Sequence, residues 1–186
     1  WRWTLKRLGV HRPWSETTRI WALSQIARYL PGGIWDVAGR VAMGLRAGYP
    51  TLSLSFSVLL EMALQAWTAV LVFVLSLPFW PALPQEAGLY WALLMGLLGI
   101  LLLQPRVIQY GLRFAGRWFH LELPAFSLGY RDMLFLLLGH LLTQLCIGAG
   151  FHFFLRAVFP TWPASGWPIA AGTYTAAWLV GFLIIF

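Results

Sequence analysis

Tyr29-Leu30-Pro31-Gly32-Gly33-Ile34-Trp35-Asp36-Val37-Ala38-Gly39-Arg40 is the stretch on which the reading of this chain turns. Pro31 lacks an N–H and stops an incoming helix, while Gly32 and Gly33 accept φ > 0 and let another group approach the main chain. A new helical pattern follows, with Asp36 and Arg40 four residues apart. Its first turn presents unpaired N–H groups and the positive end of a helix dipole, a setting that suits an anion.

The surrounding sequence places this break in a membrane protein. Of 186 residues, 60% are hydrophobic and only 10% charged, against about 25% charged in ordinary soluble domains. Mean hydropathy is +0.72. Twelve tryptophans and eleven prolines fit the same class, since Trp collects at bilayer interfaces and Pro is tolerated in spanning helices. The net charge of +7 comes from basic residues beside apolar runs, so anionic lipid headgroups are the expected partner and nucleic acid is not. A single cysteine, Cys146, excludes an internal disulfide or a cysteine metal cluster and is expected to be a buried, inert thiol. The chain has no starting Met or signal-peptide pattern and closes on Leu183-Ile184-Ile185-Phe186, as expected of a fragment of a longer protein.

The expected fold is all-α and polytopic, with 1–186 as a single transmembrane domain. A basic, aromatic segment (Trp1 to Arg12) precedes a broken helical hairpin over 14–48, with Ser15 as a candidate N-cap and the Pro-Gly-Gly break at its centre. The hairpin is either re-entrant or a pair of interfacial helices, and Ala38, Ala42 and Gly44 permit close packing on its second arm. Apolar runs at 52–79, 87–103, 133–159 and 169–186 predict four membrane spans. Ala92 and Gly96 offer a small-residue face on the second. Eight basic residues, from Arg2 to Arg46, precede the first span, and Arg106, Arg113, Arg117 and Arg131 lie between the second and third; the other two loops hold only Arg156. By the positive-inside rule the N-terminal region and the 104–132 connection face the cytoplasm of an inner (plasma) membrane. Within that connection, 106–121 predicts an amphipathic helix. Its Arg106, Gln109, Arg113, Arg117 and His120 face phosphates, and its apolar side lies in the inner leaflet.

Several of these segments resemble one known family. Trp1-Arg2-Trp3 with Leu8-Gly9, the Tyr29-to-Trp35 core with Gly39-Arg40, Leu59-Leu60-Glu61, Tyr130-Arg131-Asp132 and the stretch from Gln144 to Leu155 resemble the lysylphosphatidylglycerol synthase transmembrane-region family of flippase-like membrane proteins. The resemblance implies lipid handling. It does not imply lipid synthesis, because the cytosolic aminoacyl-transferase domain is absent. Met62 stands where the family often has a basic residue after the span glutamate, and the chain stops about where many members have a second Pro-Gly-Gly-like segment.

The candidate lipid-phosphate residues are Gly32, Gly33, Asp36, Arg40, Glu61, Arg106, Arg113 and Arg117. An ionised Glu61 inside an apolar run is costly unless paired, so it either lines a cavity or partners a nearby arginine. Arg40 either faces a lipid phosphate at the glycine turn or forms a surface pair with Asp36. His140 and His152 point about 120° apart on one helix and are expected to be polar packing residues, with Gln144 joining helices. No catalytic triad, P-loop, metal-ligand spacing or cofactor motif emerges, and Asp36, Glu61, Glu122 and Asp132 are scattered. Two functions follow. One is a flippase-like protein moving or binding an anionic phospholipid or polyprenyl-phosphate-linked lipid. The other is a non-transporting anchor or regulatory subunit for an envelope-biosynthetic enzyme, with that enzyme or a second copy of the chain as partner. A membrane-embedded transferase would need a carboxylate by the glycine turn, which only Asp36 provides.

Overall fold

The computed structural model describes residues 1–30, 35–81, 85–102 and 128–185. Every regular element among them is helical: α1 (Arg2–Arg7), α2 (Trp14–Ile26), α3 (Trp35–Arg46), α4 (Thr51–Ser76), α5 (Gln85–Leu102), α6 (Tyr130–Val158) and α7 (Trp167–Ile185). The Pro31–Ile34 break and the 106–121 helix lie outside the described residues. The chain packs as two compact units. Among the described residues, the first takes Trp1–Ala63 with 128–130, and the second takes the rest of α4 with α5 and nearly all of α6 and α7.

In the first unit, α1 and α3 end in the same way. Gly9 and Gly48 have φ of 80° and 76°, a conformation that costs glycine nothing. At α1 the Val10 N–H donates to Leu5 O at 2.9 Å, and at α3 the Tyr49 N–H donates to Gly44 O at 3.0 Å. These are Schellman closures, which turn the following residue back onto the helix. Both returning residues, Val10 and Tyr49, enter one core with Leu5, Ile20 and Leu54. Gly44 makes room for α4, since a Cβ there would stand 2.8 Å from Leu54 Cδ2. The short helix α1 is not legible in the sequence, because six residues are too few to show a helical period.

Two stretches, Thr51–Phe79 and Tyr130–Val158, are long and apolar enough to cross a membrane, each with 29 residues. At 1.5 Å per residue each reaches about 43 Å, more than the roughly 30 Å of a hydrocarbon core. Only 39% and 17% of their most apolar windows are buried, so most of each apolar surface is exposed. On α6 the buried residues are Asp132, Met133, Leu137, Gln144, Gly148 and His152, whereas Phe135, Leu142, Phe153 and Phe154 face outward. The helix α5 and the helix α7 cover the apolar runs expected at 87–103 and 169–186.

Two local expectations are corrected, at Ser15 and Cys146. Ser15 is not the N-cap of α2. The extended Pro13 holds that position, and its carbonyl accepts the Thr17 N–H at 3.2 Å. Cys146 is exposed rather than buried, because it lies two residues, about 200°, around the helix from the buried Gln144. The close approach of α5 falls at Gly88, whose added Cβ would meet Pro78 N at 2.8 Å, whereas Gly96 has nothing within 4 Å.

In the second unit the helices meet through glycines. A Cβ on Gly148 would lie 2.5 Å from Ala171 Cβ and 2.9 Å from its Cα, and one on Gly172 would lie 1.9 Å from Ser76 Oγ. Gly150, on the same helix as Gly148, has nothing within 4 Å. Gly148→Val is therefore expected to destabilise the protein by about 1–3 kcal/mol through overpacking. Gly150→Ala should be neutral or stabilising by up to about 1 kcal/mol, the helix-propensity gain. Thermal unfolding in detergent micelles, followed by helical circular dichroism, checks both. Equal effects would show that the contact at Gly148 is not a constraint.

Candidate functional site

Two charged residues of the first unit, Asp36 and Arg40, are buried. Asp36, Arg40 and Gly44 recur every four residues and form the buried face of α3, while Trp35 and Leu45 are exposed. Arg40 is 4% exposed, and its Nη1 donates to Glu61 Oε2. Glu61 lies ten residues into α4, about 15 Å from its start at 1.5 Å per residue. The pair thus bridges two helices at sequence positions 21 residues apart. Of the two readings open for each residue, the structure shows Glu61 as the partner of a nearby arginine. Arg40 is a buried group, so an exposed Asp36–Arg40 surface pair is not what forms.

Two further side chains complete the arrangement. The Arg40 guanidinium lies 5.7 Å from the ring centroid of Trp1, a cation–π distance. The Trp1 indole N–H donates to Ser57 Oγ at 3.1 Å. Ser57 is one turn before Glu61 on the same face of α4, and that i, i+4 spacing is the signal by which the sequence could have included it. Trp1 carried no such signal, since its site partners Arg40, Tyr49 and Ser57 are 39 or more residues away in sequence. Arg40 Nε remains buried without a hydrogen-bond partner. A buried guanidinium with an unused N–H has capacity for one more acceptor oxygen.

Asp36 also lies inside, at 9% exposure, and its Oδ1 accepts the Val37 N–H at 2.9 Å. Gly32 and Gly33, and the predicted Arg106, Arg113 and Arg117, fall outside the described residues. Arg40, Glu61 and Asp36 are therefore the members of the expected site that can be placed, and Arg40 and Glu61 are brought together. In the second unit His152 is buried and its Nδ1 accepts the Trp162 indole N–H at 3.1 Å. The ring proton then resides on Nε2, as suits a packing residue. Gln144 is buried as well, and its Nε2 has no partner. Among the described residues no three His, Cys, Asp or Glu side chains gather as metal ligands.

Tyr49 ties the site to the start of α2. Its ring stacks on Trp1 at 6.1 Å and carries the Arg12 guanidinium at 5.1 Å. Its hydroxyl is buried without a hydrogen-bond partner. Burial first, and the Glu16 carboxylate second, push the phenol up to about 12 from an ordinary value of 10. The proton is thus held more tightly in the folded chain than in the unfolded one. This contribution to stability is complete below pH 10 and is lost as pH rises through about 12. One of the six tyrosines should titrate late in tyrosinate absorbance. Tyr49→Phe should remove that late step, flatten the alkaline loss of stability, and leave stability at neutral pH unchanged or up to about 1 kcal/mol higher.

Compared with protein-family models, curated proteins and solved structures, the chain finds no match.

Proposed function

We propose that this chain is a flippase-like integral membrane protein that binds and moves an anionic or polyprenyl-linked lipid. The observation that carries this reading is the Arg40–Glu61 pair, set about 15 Å along a helix long enough to span a bilayer. Ionised groups at such depth are costly and characteristically mark a substrate path. The free Arg40 Nε leaves that pair able to take a phosphate oxygen, and fork-shaped guanidinium–phosphate contacts are among the stronger hydrogen bonds. The resemblance of the Pro-Gly-Gly core, Gly39-Arg40 and Leu59-Leu60-Glu61 to the lysylphosphatidylglycerol synthase transmembrane region supports the same assignment.

In this reading α4, α5, α6 and α7 are four spans of an inner membrane, and α2 and α3 form the broken hairpin. The basic N-terminal region and the 104–132 connection face the cytoplasm, following the arginine asymmetry of the loops. A headgroup crosses only where its charge meets compensating groups, and broken helices supply backbone as well as side chains for that purpose. The second reading, a non-transporting anchor or regulatory subunit, is favoured by one feature. Arg40 and Glu61 neutralise each other, as a pair that only holds α3 against α4 would.

Leaflet translocation of fluorescent anionic phospholipid in liposomes separates the two. Arg40→Ala and Glu61→Ala should each destabilise the protein by about 3 kcal/mol, since either leaves a buried charge uncompensated. The double variant Arg40→Met/Glu61→Leu should recover most of that loss. Transport absent from the refolded double variant supports a lipid path through the pair. Native-like transport in it makes the pair structural and moves the path elsewhere. Translocation by the native protein no faster than in empty liposomes favours the anchor.

A further inference from the structure

The first unit holds a second charged feature, separate from the Arg40–Glu61 pair. Between α2 and α3 lies an open cleft of about 670 Å³. Glu16, Arg19 and Leu23 recur on one face of α2, and Met43 and Arg46 approach from the last turns of α3, with Arg12 at the near end. Three arginines thus share the cleft with one carboxylate.

Those charges are unequally engaged. Arg12 is fixed: its Nη2 donates to Gly48 O at 3.0 Å, its plane covers Tyr49, and its Nη1 stands 4.0 Å from Glu16 Oε1. The single carboxylate is therefore nearest the arginine that is already held. Arg19 and Arg46 are exposed and have no hydrogen-bond or ion-pair partner among the described residues. Two guanidiniums that line one cleft without an ion-pair partner repel each other, and a bound dianion or monoanion relieves that repulsion.

The rest of the lining selects the kind of anion. Leu23 is exposed and Met43 is half-buried, so the cleft carries an apolar strip beside its arginines. Trp14 and Trp21 stand exposed on the same helix, and indoles with one apolar and one polar edge favour the headgroup layer of a bilayer. A ligand that matches both has a phosphate next to hydrocarbon. We propose that the α2–α3 cleft binds the phosphate of an anionic glycerophospholipid, with Arg19 and Arg46 as its ligands and Arg12 as a fixed third charge. The assignment deepens the lipid-handling reading by naming where a headgroup is first recognised, and it rests on that reading only for the source of the phosphate.

The test is lipid binding to the full chain in detergent micelles, where no leaflets exist and transport plays no part. Native mass spectrometry counts bound phosphatidylglycerol and phosphatidylcholine separately. Phosphatidylglycerol should bind at least about tenfold more tightly, and Arg19→Gln and Arg46→Gln should each weaken it about fivefold. The double Gln variant should bring it to the phosphatidylcholine level. Because both side chains are exposed, melting in detergent should be unchanged, so loss of binding would not reflect loss of fold. Equal binding of the two lipids, or full binding by the double variant, overturns the proposal. Inorganic phosphate that displaces the lipid at equal concentration overturns the lipid assignment in favour of a free-phosphate site. A poly-glutamate peptide that binds as tightly as phosphatidylglycerol shows a general charge sink and also overturns it. Failure of translocation in liposomes with this binding intact sinks the flippase reading alone.

Discussion

A guanidinium cannot be buried without a counter-charge, and the first unit is arranged around meeting that condition. Arg40 finds Glu61, and this contact sets how α3 lies against α4. One turn after Arg40, Gly44 meets Leu54, which lies two turns before Glu61. The two helices therefore run antiparallel, and one pairing fixes their register. Trp1 lies over the same guanidinium and bonds to Ser57, so the N-terminal segment is drawn in by the same charge. Isolated burial of either ion would cost several kcal/mol. The pair is therefore a condition for this packing rather than an addition to it.

On α3 and α6 several polar side chains turn inward while large apolar ones stay exposed. α3 turns Asp36 and Arg40 inward and leaves Trp35 and Leu45 outside. α6 turns Asp132, Gln144 and His152 inward beside Met133 and Leu137, and leaves Phe135, Phe153 and Phe154 outside. In water this arrangement would expose apolar surface and bury polar groups, both unfavourable. In hydrocarbon the same arrangement is the favourable one, because polar side chains then find partners only within the protein.

What the sequence made legible was local. Apolar runs located α4 to α7 to within a few residues, since twenty or so hydrophobic residues in succession leave few alternatives. The arms of the broken hairpin were also placed well, by Pro13, by the glycine break and by the helical spacing of Ile20 and Leu23. What escaped was contact across the chain. Asp36 is the partner that helix spacing offers Arg40, yet Glu61 is the one the fold brings to it. Both readings obey the same electrostatics, and only packing decides between them. The arginine cleft escaped for the same reason: Arg19 and Arg46 are 27 positions apart and read individually as topology signals. The exposure of Cys146 was available in principle, since its angular distance from Gln144 follows from counting residues.

The glycine contacts of the second unit have a mechanical consequence. Gly148 rests on the Cα and Cβ of Ala171, and Gly172 rests on Ser76. Long side chains can change rotamer and let two helices slide, whereas a glycine set against an alanine or a short serine side chain leaves little torsion to give. α6 and α7 are thus geared together at Gly148, and α7 and the end of α4 at Gly172. A displacement of one must carry the others with it, so shear among these three helices is blocked and rigid-body travel is the mode left to them.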